Sequence, residues 1–176
     1  QKGRVDAIGS FDGEVADIEL QGVKLREIQN KSFEDVGFMQ SLIADADLLT
    51  SKRDQLVKLA RGIAKSIVFA KANPEAAVKI HWKVFPDTKP AGVSDAVAVK
   101  NGVAELQARL ANVVEVDGQY GVSTDAQVQA YESLLLKAEV IDKSIAVSDA
   151  WSSSLLSDIN NFDRGAIQDS AKNWKS

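Results

Sequence analysis

The sequence predicts an α/β fold in which a few early strands are followed by a mostly helical C-terminal portion. Short apolar runs bounded by glycine and by an Asp-Gly pair occupy the first third, and from Ser51 onward apolar residues recur at spacings of three and four. The bulk composition is that of an ordinary globular chain: 45% apolar and 26% charged over 176 residues, with only 3 prolines. That length is enough for a domain with a real core, and the composition argues against disorder or low-complexity tails.

Val5 to Phe11 is a short, largely apolar run between Gly3 and the Asp12-Gly13 pair, as expected of a buried strand in a parallel sheet. A short helix is expected over Glu14 to Leu20 and ends at Gly22. Val23 to Ile28 then alternates apolar and charged residues like a half-exposed strand, and Phe38 to Ala44, after Gly37, forms a third extended stretch. Strand, helix and strand in this order suggest βαβ units.

The helical part opens at Ser51, which with Asp54 resembles a capping box, and Leu56, Leu59, Ala60, Ile63, Ile67 and Ala70 trace one face. Asn73-Pro74-Glu75 ends that helix and starts another, with Asn as N-cap, Pro in the first turn and an acid near the positive end of the dipole. This second helix carries Ala77, Val78, Ile80 and Val84 and stops before Pro86. After a loop over Asp87 to Gly92, Ser94 caps a helix running to about Asn112 with Val99, Val103, Leu106 and Leu110 on one side. Asp117 to Gly121 is turn-rich and precedes a Ser/Thr-capped helix from Asp125 to about Ala138, bearing Val128, Tyr131, Leu134 and Leu135. A last helical region starts near Ser148, breaks at Asn160-Asn161 and resumes near Asp163. Trp82, Trp151 and Trp174 all fall in expected helices, where packing of the large ring with its N–H at the surface is the plain reading.

So few strands cannot complete a doubly wound sheet, and their open edges would invite pairing. Partner strands are therefore expected to come from outside this stretch of sequence. The start at Gln1-Lys2-Gly3-Arg4 also reads as the interior of a longer chain.

Several kinds of chemistry are excluded or disfavoured. With 21 Lys plus Arg against 25 Asp plus Glu and no basic cluster, nucleic-acid and anionic-membrane binding are not expected. No cysteine is present, which removes disulfides, thiolate metal sites and cysteine nucleophiles. His81 is the only histidine, has no second His to share a metal, and reads as structural or exposed. The carboxylate pairs Asp12/Glu14 and Asp45/Asp47 read as a helix start and a loop before they read as cation sites. Neither phosphate-binding glycine motif occurs. No catalytic residue, metal ligand or cofactor is expected.

The segment Ser10-Phe11-Asp12-Gly13-Glu14 stands out. In open α/β sheets ligands bind beyond the carboxyl ends of strands, where a helix start faces the same crevice. A ring and a carboxylate there suit stacking on, and pairing with, a small solute. An Asp-Gly turn capping the helix explains the same residues without a ligand.

The segment order resembles the C-terminal half of the nitrate, sulfonate and taurine type of periplasmic substrate-binding protein, the receptor of ABC importers. The likeness is carried by Gly3-Arg4-Val5-Asp6-Ala7 leading to Phe11-Asp12, by Leu20-Gln21-Gly22-Val23-Lys24-Leu25, by the helix from Leu56 running into Ala72-Asn73-Pro74-Glu75-Ala76-Ala77, and by Ile159-Asn160-Asn161-Phe162-Asp163. The resemblance implies a partial two-lobed fold: 1–36 as the remaining part of lobe 2, 37–50 as a crossover strand, and 51–176 as the helical C-terminal share of lobe 1. It implies a non-enzymatic, periplasmic or otherwise extracytoplasmic, membrane-tethered receptor for a small polar or anionic solute. Its partners would be a membrane permease and either the missing N-terminal half or a swapped neighbouring chain. Ser10, Phe11 and Asp12 match a ligand-facing loop of that family. The alternatives are a thiamine-pyrimidine-related binding protein or biosynthetic enzyme on the same fold, and a helical protein-interaction module.

Overall fold

The computed structural model describes residues 5–28 and 40–175. Their order is α1 (Asp12–Leu20), α2 (Leu48–Ser51), α3 (Arg53–Ala72), α4 (Pro74–Val84), a 3-10 turn at Pro86–Thr88, α5 (Asp95–Ala111), β1 (Glu115–Val116), β2 (Gln119–Tyr120), α6 (Asp125–Lys137), α7 (Val147–Ala150), α8 (Leu156–Asn160) and α9 (Arg164–Lys172). The described residues are thus mostly helical, at 59%, and the sheet among them is the two-stranded β1-β2 ladder.

The expected parallel strands do not form among the described residues. Residues 5–11, 23–28 and 40–44 carry no ladder, while Phe38 and Met39, the start of the third expected strand, lie outside the described residues. The physical reason is that a strand exists only through a neighbour that takes its backbone N–H and C=O groups, and among the described residues these segments have no such neighbour. Their apolar side chains are consequently exposed: Val5 by 69%, Phe11 by 67% and Ile43 by 95%.

The observed sheet was expected only as a turn. Asp117 (φ 48°) and Gly118 (φ 74°) are both left-handed, the pattern of a type I′ turn, which matches the twist of a hairpin and places Glu115 opposite Tyr120 and Val116 opposite Gln119. Its strands are too short to show periodicity in sequence.

The helix starts follow their caps. The Asn73 side chain accepts from the Ala76 N–H, Ser94 from Val97, Thr124 from Gln127 in a reciprocal capping box, and Asp163 from Ala166. Ser51 departs from expectation: it ends α2, and its hydroxyl donates to the Asp47 carbonyl at 3.0 Å. Of the expected face of α3, Ala60 and Ala70 are buried and Leu56 and Ile67 half-buried, whereas Leu59 and Ile63 are exposed and Val57, Ala64 and Val68 are buried in their place. Trp82 lies in α4, but Trp151 follows α7 and Trp174 follows α9.

The chain divides into two compact units, and the expected boundary at residue 36 falls outside the described residues. Unit 1 comprises Gln1–Glu27, Lys65–Val114 and Asp163–Ser176, and contains α1, α4, α5, α9 and the end of α3. Here α5 packs on both α1 and α4. A Cβ added at Gly102 of α5 would come within 3.0 Å of Val78 and 3.4 Å of Trp82, both on α4, so the bare backbone is what permits this close approach. Val68, Ala70, Ala76, Val78, Ala98 and Ala171 form its core. The Asn73 amide, besides capping α4, donates to the Ala171 carbonyl at the end of α9.

Unit 2 comprises Ile28–Ala64 and Glu115–Phe162, with Val57, Ala60, Ala64, Tyr120 and Val128 buried. Polar contacts organise it. Arg53 pairs with Asp158 at 2.6 Å, and the Arg61 guanidinium donates to the Asp158 carbonyl at 3.0 and 2.5 Å, fastening α8 to α3. The Asn160 side chain accepts from the Tyr120 N–H at 2.9 Å and donates to the Tyr120 carbonyl at 3.1 Å. One amide thereby stands in for the next strand along β2. Glu132 of α6 accepts from the Ser144 hydroxyl at 2.6 Å and the Ile145 N–H at 2.5 Å, tying the following loop back to its helix.

Candidate functional site

The residues expected to face a ligand sit where the irregular segment 5–11 enters α1. Phe11 is the N-cap, with an extended backbone (φ −89°, ψ 158°) and no capping side chain, and its carbonyl accepts from Val15 at 2.9 Å. Its ring projects into solvent. Asp12 and Gly13 are the first residues of the helix, so the expected turn after a strand is here the opening turn of α1, with Asp12 and Glu14 at the positive end of the dipole.

Asp12 is engaged within the protein. Its Oδ1 accepts from the Gly13 N–H at 2.9 Å and from Arg109 Nη1 at 3.1 Å, while Oδ2 accepts from the same Nη1 at 3.3 Å and from Asn112 Nδ2 at 3.1 Å. Burial alone would raise the pKa, but the donors Asn112, Arg109 and Gly13, with the Arg109 charge, outweigh it and hold the carboxyl below its ordinary 3.8. Asp12 thus fastens the start of α1 to the end of α5.

Ser10 faces a different feature. Its hydroxyl donates to Glu14 at 2.5 Å, and both residues line an open hollow of about 480 Å³ together with Gly13, Asp17, Ile18 and Glu105. Residues 14, 17 and 18 share one face of α1 by helical spacing, and Glu105 comes from α5. Burial, and then the charge of Asp17, push the Glu105 carboxyl above its ordinary 4.5. With Glu14, Asp17 and Glu105 around it, the hollow favours positive charge and disfavours a bare anion.

Of the expected ligand residues, only Ser10 lines this hollow; Phe11 and Asp12 do not. Asp17, Ile18 and Glu105 went unrecognised in the sequence. The spacing of Glu14, Asp17 and Ile18 was a usable signal for part of the lining, whereas nothing local links Glu105 to α1.

The other residues considered for chemistry are dispersed. His81 is exposed on α4, with its ring centroid 5.2 Å from that of Phe85. Asp45 and Asp47 lie at the turn into α2, where their carbonyls accept from Leu48 and Ser51. Among the described residues no group of three or more His, Cys, Asp or Glu is placed to hold a metal, and no helix is long and apolar enough to cross a membrane. Comparison with known proteins returns no matching family profile, no matching curated protein and no matching solved structure.

Proposed function

We propose that this chain is the C-terminal part of a solute-binding receptor of an ABC import system, periplasmic or membrane-tethered outside the cytoplasm. It would act without enzymatic activity, on a small polar or anionic molecule such as nitrate, a sulfonate or taurine. The observation that supports this best is the state of 5–11 and 40–44: strand-like sequences whose Val5, Ile8, Phe11, Leu42 and Ile43 are exposed and have no ladder partner among the described residues. Apolar strands of this kind are stable when covered and paired on both edges. The missing N-terminal half, or a swapped neighbouring chain, would supply those pairings and the opposite wall of a ligand cleft. Hinge closure on the solute and docking on a membrane permease complete the mechanism.

The carboxylates of the α1–α5 hollow refine the choice of solute. Where a ligand contacts that face, an ammonium group as in taurine is accommodated better than nitrate. The test is thermal melting of the natural full-length protein with nitrate, taurine, other sulfonates, bicarbonate and pyrimidines. One solute at 100 times its dissociation constant should stabilise by about 2.7 kcal/mol. Consumption of a candidate by the protein would favour the enzyme on the same fold instead, and no shift with any of them would remove the receptor reading.

A second reading, a helical protein-interaction module, is favoured by the predominance of helix and the smallness of the sheet. It requires that the chain bind a protein partner without any additional strands.

A further inference from the structure

We draw no further inference here: the strongest candidate, the exposed apolar surface patch of Val84, Phe85, Val93 and Val97 where α4 turns into α5, carries nothing because nothing in the structure shows what covers it.

Discussion

Replacing Asn160 by alanine should strip β2 of its substitute strand. Tyr120 is only 6% exposed, and both of its backbone groups are held by this one side chain, at 2.9 and 3.1 Å. A hydrogen bond between neutral groups contributes about 1 kcal/mol net, and leaving a buried N–H or C=O unsatisfied costs about 1–3 kcal/mol. Both of these bonds are lost, and water entering the space vacated by the amide recovers part of the loss. The expected cost is therefore about 2–3 kcal/mol for unit 2. Amide hydrogen exchange reads it directly, because each 1.4 kcal/mol is a factor of ten in the opening equilibrium, so the Tyr120 N–H should exchange roughly 30- to 150-fold faster. Asn161→Ala, at an exposed position next to it, should change stability by less than about 0.5 kcal/mol. If Asn160→Ala left Tyr120 exchange within a factor of two of the parent, the substitute-strand role would be refuted.

Other consequences are equally open to measurement. Glu105 has a raised folded-state pKa, so the folded protein holds that proton more tightly than the unfolded chain, and stability should fall as pH rises from 4.5 through the folded value. Glu105→Gln should flatten this part of a melting-temperature profile and raise melting at neutral pH; an unchanged profile would contradict it. Asp12 works in the opposite sense: its pKa is depressed, so its contribution is full above 3.8 and is lost as pH falls below that value. Asp12→Asn should remove that acid limb and speed amide exchange in α1, whereas unchanged exchange there would show that the Arg109 contact does not hold the helix. Gly102→Leu should destabilise by about 2 kcal/mol through overpacking against Val78 and Trp82, read by urea denaturation; a stability equal to the parent would mean that α4 and α5 separate freely.

The helices were legible wherever a local signal sets their ends. Asn73-Pro74-Glu75 and Ser94 cap the helices expected of them, and the Ser/Thr cap expected before Asp125 is Thr124, because capping involves only residues a few positions apart; Asp163 caps the helix expected to resume near it. Ser51 misled because α2 occupies the preceding turn, so its hydroxyl already points back to Asp47. The strands were illegible for a different reason. Patterning at Val5 to Phe11 reports a tendency to be buried and paired, while the ladder itself depends on a neighbouring segment. At the candidate site, Ser10 and Glu14 were visible in one segment, whereas Glu105 and the Arg109 and Asn112 donors arrive through the packing of α5 on α1.

The proposed role turns on whether 5–11 and 40–44 are strands in the natural protein. Hydrogen exchange of those amides, compared between this chain alone and the full-length protein encoded with any sequence upstream of the Gln1 codon, measures that directly. The expected result is fast exchange in the isolated chain and strong protection in the full-length protein, where partner strands take up the ladder. Equally fast exchange in both, or a start codon immediately before Gln1, would contradict the receptor reading and leave the helical module in its place.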